Sequence, residues 1–416
     1  MKLINYSSGS IKCMPQKKVK ALFITSILLA LFIDIQTLNL IILAAFPSLS
    51  GVMAVMYFVV VLGLFGIGLF IQGRSLLSLR SSYKGICLLC ILWYIMTDVF
   101  VASPSVTVPF FGIFMVASFL IPGIIRIDMR IFLLSLFILP SFGIMYLDKI
   151  FYNEILENGV VSMGTCYAFL VPVLGNLVYL RYYYKEEKLR LKIVTLFFSA
   201  INLFYLVQMI MFGSRGPVLC ALLLILCFSV TKIDDDGKLT FCRGRAILVS
   251  AGVLLIALSF IAILQAVSDY LSTFGISLNV IDKFLRLEDN GDMTNGRDAI
   301  SSMAWKGIMT SPIWGNGTSQ FLNNTGEVYP HNFIIQMLYD GGIILTSLVL
   351  FPIIRILIRK IRIVSTEELI CLLFLFFASV PGALFSGDLW NASTLWMFFG
   401  FVLAKNSVVE KSYIKQ

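Results

Sequence analysis

The sequence predicts an all-α integral membrane protein of about twelve spans with one large extracytoplasmic loop, and three observations carry that prediction. Of 416 residues, 59% are hydrophobic and only 13% charged, with a mean hydropathy of +0.92, whereas soluble domains hold about 45 to 50% apolar residues. Apolar runs approaching the roughly 20 residues of a crossing helix recur along nearly the whole chain. Basic residues gather in alternate short connections, as the positive-inside bias of membrane proteins requires. The spans should be helices, because unpaired backbone amides are costly in hydrocarbon and an α-helix pairs them internally.

The first apolar run follows Lys12, Lys17, Lys18 and Lys20 and reaches about Phe46, with Asp34 and Gln36 inside it, so one long span that is either whole or broken is expected. Runs at about 51 to 72, 85 to 101 and 107 to 125 come next, separated by Arg74, Arg80 and Lys84 on one side and Ala102-Ser103-Pro104 on the other. Arg126 and Arg130 mark the return. Spans at about 131 to 147 and 161 to 180 flank a loop with Asp148, Glu154 and Glu157, and lead to the cluster Arg181, Lys185, Lys188, Arg190, Lys192. Spans at about 193 to 212 and 217 to 231 are joined by Gly213-Ser214-Arg215-Gly216. Lys232, Lys238, Arg243 and Arg245 then precede a ninth span at about 246 to 266.

The stretch from about Val267 to Asn332 is the one long polar interruption. After it, a tenth span runs from Phe333 to the basic group Arg355, Arg359, Lys360, Arg362. Spans at about 364 to 385 and 390 to 404 meet at Ser386-Gly387-Asp388 and leave Lys405, Lys411 and Lys415 in the tail. With the first side cytoplasmic, both termini are cytoplasmic and 26 of the 32 Lys and Arg lie inside; Lys149, Arg215, Lys283, Arg286, Arg297 and Lys306 lie outside. This distribution explains the net charge of +9 better than a nucleic-acid surface, which would gather the charge on one face. The eight cysteines fall in spans or on the cytoplasmic side, so no disulfide framework is expected, and Cys87-x-x-Cys90 has no second pair to complete a metal site. No cleavable signal is expected at the amino terminus, because its apolar run is long and no small-residue cleavage site stands out.

Chemistry is expected in the polar interruption and the turn facing it. Arg215 violates the charge rule in a four-residue turn. Ser214 can cap the next helix, and Pro217 near its first turn leaves free N–H groups beside the guanidinium, which together suit an anion. The alternative is snorkelling to lipid headgroups. Arg297 repeats the pattern after Thr294-Asn295-Gly296. From there to Met309 the apolar residues Ile300, Met303, Ala304 and Ile308 recur at helical spacing, so a loop helix resting on an apolar surface is expected. An arginine in a first turn opposes the helix dipole and suits an anion, unless it pairs with Asp298 or Asp292.

His331 is the chain's single histidine, and the one side chain whose ordinary pKa exchanges a proton near neutrality. It follows Pro330 and precedes Asn332, which can cap the tenth span. Gly315 and Gly317 allow close backbone approach, and Trp314, Tyr329 and Tyr270 offer flat faces for sugars or for an interfacial belt. The eighth and tenth spans both run inward, so their positive ends and the two arginines can meet at one outer-face site suited to a phosphate or diphosphate. Asp282, Glu288, Asp289 and Asp292 lack metal-ligand spacing. The sequons at Asn316, Asn323 and Asn391 read as chance.

Gly213-Ser214-Arg215-Gly216, Gly296-Arg297, Trp305, Ser311-Pro312 with Gly315-x-Gly317, and Pro330-His331-Asn332 followed by Gly341-Gly342 together resemble the O-antigen polymerase and ligase superfamily over about residues 195 to 350. The resemblance implies three parts: 1–195 with helices one to six, a polymerase and ligase-like core at 196–354 containing the extracytoplasmic loop 267–332, and 355–416 with the last two helices and the tail. It implies a metal-independent, cofactor-free, inverting glycosyltransferase on the periplasmic face of the bacterial inner membrane. Its donor would be a glycan on undecaprenyl diphosphate. Arg215 and Arg297 would hold the diphosphate, and His331 would orient or deprotonate the acceptor. Ser214, Asn332, Trp314, Tyr329, Gly315 and Gly317 would line the substrate. The implied partners are the lipid-linked oligosaccharide, membrane lipids, a chain-length regulator and a flippase, with no nucleic acid. A repeat-unit polymerase is preferred to a ligase acting on lipid A core. A flippase would place its binding groups near the bilayer midplane, where Asp34 and Gln36 are the plainly polar residues.

Overall fold

The computed structural model describes residues 15–49, 52–100, 112–152, 163–211, 215–233, 239–258, 260–273, 296–318, 320–405 and 407–409. The chain is mostly helical. It begins α1 (Gln16–Ile33), α2 (Ile35–Ala45), α3 (Val52–Gly66), α4 (Ser81–Phe100), α5 (Ser118–Ile124), α6 (Met129–Ser141), α7 (Met163–Tyr182), α8 (Leu189–Met211) and α9 (Arg215–Val230). A small antiparallel hairpin of β1 (Thr231–Ile233) and β2 (Leu239–Phe241) sets Lys232 opposite Thr240. Then follow α10 (Arg243–Leu258), α11 (Phe260–Ser272), α12 (Arg297–Thr310), α13 (Gln320–Thr325), α14 (Phe333–Ile361), α15 (Thr366–Phe385) and α16 (Ser393–Leu403).

Among the described residues, four helical stretches are long and apolar enough to cross a membrane unaided: Met129–Tyr146, α8, α14 and α15. The first expected span is broken, as its polar residues allowed: α1 and α2 bend by 71° at Asp34 and make a fifth crossing if they form one span. Shorter apolar helices occupy Val55–Ile71, Ser81–Met96, Met115–Ile124, Arg215–Val230 and Ser393–Leu403. These features are those of a multi-pass all-α membrane protein. Helix occurs in each of the twelve segments expected to cross, and the number that do cross stays an expectation of the sequence. One boundary differs. The long loop was expected from Val267, yet α11 continues to Ser272, because Leu264, Val267 and Leu271 keep the helical spacing past the first polar residues. Residues 274–295 of that loop lie outside the described residues.

The bundle's two ends differ in chemistry. At one end Arg130 pairs with Glu187, which Tyr179 also reaches, and Tyr183 donates to Glu367. Lys360 meets Glu368 at 2.5 Å and donates to the carbonyls of Phe401 and Ala404, so a buried cation is fully engaged. Glu368 and Phe385 stand at opposite ends of α15, about 25 Å apart at the rise of an α-helix. The functional candidates lie at the Phe385 end.

α14 carries the decisive irregularity. Gly342 adopts φ 61° and ψ −165°, which breaks the helix. An unbroken helix would bond the N–H groups of Ile343 and Ile344 to the carbonyls of Tyr339 and Asp340. Instead the loop segment 311–317 supplies all four partners. Ile343 N donates to Pro312 O at 2.9 Å and Ile344 N to Ile313 O at 3.3 Å, while Asn316 N donates to Tyr339 O at 2.7 Å and Gly317 N to Asp340 O at 2.9 Å. A Cβ on Gly342 would overlap the Ile313 carbonyl, and one on Gly315 the Asp340 carbonyl. Gly342→Ala is therefore expected to lower stability in detergent by about 2 kcal/mol, read from the thermal midpoint. Gly85→Ala, where a Cβ meets nothing within 4 Å, should leave the midpoint unchanged or raise it.

Candidate active site

Tyr167 of α7 is the point on which the candidate residues meet. α9 begins at Arg215, and Gly216 in its first turn lies so close to Tyr167 that any Cβ would overlap the phenol hydroxyl. α15 approaches the other edge of the ring, where a Cβ on Gly382 would sit 3.1 Å from it. Tyr167 also stands beside Ser386 and within electrostatic reach of Arg297 and Tyr329. The start of α9 thereby shares one neighbourhood with Arg297 and with the segment that carries His331. Arg215 is half-buried there. Gly213 and Ser214, the expected cap among them, lie outside the described residues.

Arg297 opens α12, the loop helix expected from the spacing of its apolar residues. Ala304 and Ile308 are buried against Phe321 and Tyr339, with Ile300 packed beside them, so the helix is clamped onto α13 and α14. Met303, expected on that face, is instead 41% exposed. The residue at the amino-terminal cap is Gly296 at φ 78°, without a side-chain bond, and Thr294 and Asn295 lie outside the described residues. Arg297 donates from Nη1 to the carbonyl of Phe385 at 2.7 Å. That carbonyl belongs to the last turn of α15, where helix carbonyls lack intrahelical partners and carry partial negative charge. One guanidinium nitrogen is thus tethered, which fixes the charge at the mouth of the site.

His331 is the one non-glycine residue with positive φ among the described residues, at 57°. Such backbone costs on the order of 1 kcal/mol and persists when its surroundings enforce it. They do so here. Pro330 on one side is buried, and Asn332 on the other caps α14, its Oδ1 accepting from Ile334 N at 3.0 Å and Ile335 N at 3.1 Å. The imidazole meets the Tyr329 ring edge-on, with centroids 4.5 Å apart. Burial and the Arg297 guanidinium hold His331 below the ordinary histidine pKa, with Glu327 pulling the other way. His331 is accordingly neutral at pH 7 and able to accept a proton.

The remaining candidates divide. Tyr329 is half-buried between His331, Arg297 and Asp388. Gly315 and Gly317 serve the interlock with α14. Trp314 is 63% exposed on the same turn and Tyr270 is 64% exposed on α11, as an interfacial belt would place them. Several members went unseen in the sequence. Tyr167 is one aromatic among many in an apolar span, and the Phe385 carbonyl is invisible in principle. Asp388 had a signal, the polar Ser386-Gly387-Asp388 turn between two spans. Its Oδ1 accepts from Gln336 Nε2 at 2.7 Å and Trp390 N at 3.3 Å, and Asn391 donates to Oδ2. Burial holds that carboxyl above the ordinary carboxylate range, against those hydrogen bonds.

Residues 200–350 match the family described as O-antigen ligase. The match supports a likeness to the O-antigen ligase and polymerase superfamily, whose members are glycosyltransferase-like enzymes, and the matched residues include Arg215, Arg297 and His331. No curated protein and no solved structure matches the chain.

Because the chain has a single histidine, selective histidine labelling yields one imidazole to follow by NMR. Its titration midpoint is expected below 6.5. Arg297→Gln removes a charge that disfavours the imidazolium and should raise the midpoint, whereas Glu327→Gln removes one that favours it and should lower it.

Proposed function

We propose that the chain is a repeat-unit polymerase for a surface polysaccharide, working as an inverting, metal-independent glycosyltransferase at the extracytoplasmic face of the bacterial inner membrane. The observation that carries this reading is the meeting of the α9 start at Arg215, Arg297 and the His331 segment around Tyr167 and Tyr329. Two guanidinium groups and a helix amino terminus suit a diphosphate, which as a leaving group needs its charge held more than it needs a strong acid. A neutral imidazole at the same place suits an acceptor hydroxyl.

In the proposed step the acceptor oxygen attacks the anomeric carbon of the donor sugar. The carbon–oxygen bond to the diphosphate breaks, and undecaprenyl diphosphate leaves with its new charge beside Arg215 and Arg297. The proton of the acceptor hydroxyl passes to His331. Displacement from the face opposite the leaving group inverts the anomeric centre. The basic residues at the Lys360 end of the bundle support a cytoplasmic orientation for that end, with both termini inside and the site outside. A chain-length regulator and a flippase would work alongside the enzyme.

The second reading is a ligase that passes the glycan to lipid A core, and the likeness of residues 200–350 to the O-antigen ligase family favours it. Purified protein incubated with a lipid-linked repeat unit, with and without EDTA, tests the chemistry. A polymerase gives a ladder of products that survives EDTA. Arg215→Ala and His331→Ala are each expected to reduce the rate by about 10²-fold or more. In cells, either substitution should leave single repeat units attached to core. Core without any repeat would support the ligase, and repeat units confined to the inner leaflet would support a flippase.

A further inference from the structure

One cavity of about 250 Å³ enters the bundle beside the candidate site, between the first turn of α2, α7, α15 and the 386–394 connection. Its wall includes Tyr167, Ser386 and Asp388, so it adjoins the place where Arg297 and Tyr329 stand. Deeper in, Ile33, Thr37, Ala168, Val171 and Ser379 line it. All five are buried in the helix bundle, so the bundle walls the cavity on that side, while Gln36 on its rim is exposed.

Size, shape and lining narrow what could enter. The volume falls just under the roughly 300 Å³ at which small-molecule sites begin, which suits a single ring. A pocket walled on its inner side by buried residues suits the end of a glycan rather than its interior. The lining mixes small apolar side chains with hydroxyls, amides and one carboxylate, the groups that bind a neutral polyol face and edge. The polar members are also organised. Asp388 is oriented by three hydrogen bonds, and Asn391, which supplies one of them, keeps a buried Oδ1 without a hydrogen-bond partner among the described residues. A buried acceptor of this kind is costly unless something donates to it.

Resting on the function proposed above, we infer that this cavity is the acceptor subsite and that it holds the non-reducing terminal sugar of the acceptor. The donor's first sugar is bonded on both sides, to the diphosphate and to the rest of its glycan, so a pocket walled by buried residues suits it less than the acceptor's last sugar, which is bonded on one side. Seated there, it presents a hydroxyl at the mouth, toward Tyr329 and His331. Asp388 and Asn391 become specificity determinants by reading its other hydroxyls, while the arginines read the diphosphate.

The test uses two probes on the full-length protein in detergent: undecaprenyl diphosphate, and the free repeat-unit oligosaccharide released by mild acid from its lipid carrier. Saturation-transfer NMR on the oligosaccharide should place the strongest protein contact on its non-reducing terminal ring. Thr394→Trp, which fills the cavity from its edge, and Asn391→Ala, which removes the unpartnered carbonyl, should each weaken oligosaccharide binding by about tenfold. Undecaprenyl diphosphate should bind both variants as it binds the unmodified protein, which also reports that they are folded. Diphosphate binding with saturation spread evenly over the oligosaccharide, or with unchanged oligosaccharide affinity in both variants, overturns the subsite alone. Absence of diphosphate binding in the unmodified protein overturns the enzyme reading and the subsite with it.

Discussion

The structure depends on a helix that is broken and mended by another part of the chain. In α14, Gly342 frees two amides and two carbonyls, and in an apolar setting each would be expensive to leave unpaired. The segment 311–317 returns all four bonds. A loop that must reach into a bundle to complete a helix is not free to wander. The interlock fixes α12 through Ala304 and Ile308 on Tyr339, and α12 in turn fixes Arg297.

From that constraint the electrostatics follow. Arg297 is tethered by one nitrogen to the end of α15, and its charge depresses the basicity of His331 from the loop side while Glu327 opposes it. The α9 start arrives from another direction and is set against Tyr167 by a glycine. At the other end stand the Arg130–Glu187 pair, the buried Lys360–Glu368 pair and the Tyr183–Glu367 hydrogen bond. One end of the molecule is therefore cross-braced, while the other holds its cations at helix ends.

Much of this was legible in the sequence, and the limits have physical causes. Hydropathy located the helices, because backbone pairing in hydrocarbon leaves little choice of structure, while the first run, which the sequence left either whole or broken, bends at Asp34. Spacing located α12, and the position of Asn332 before an apolar run identified the cap of α14. Gly315-x-Gly317 and Gly341-Gly342 were visible as motifs, but their purpose was not, since a glycine that admits a ligand and one that admits a neighbouring backbone look alike in sequence. Tyr167 was hidden for a related reason: its importance lies in three elements that approach it, and approach is a tertiary property. Met303 shows the same limit in reverse, having the right period and the wrong side.

The proposed site puts the two arginines on one diphosphate and the imidazole close by, across the anomeric carbon at the acceptor hydroxyl. The single histidine permits a direct measurement. Protein carrying ¹⁵N-histidine is reconstituted with undecaprenyl diphosphate, and dipolar recoupling between phosphorus and the imidazole nitrogens is recorded by solid-state NMR. The account predicts phosphorus-dependent dephasing of the His331 signal that disappears when Arg215 and Arg297 are both replaced by glutamine. A full His331 signal without dephasing, with the lipid shown to be bound, would contradict it.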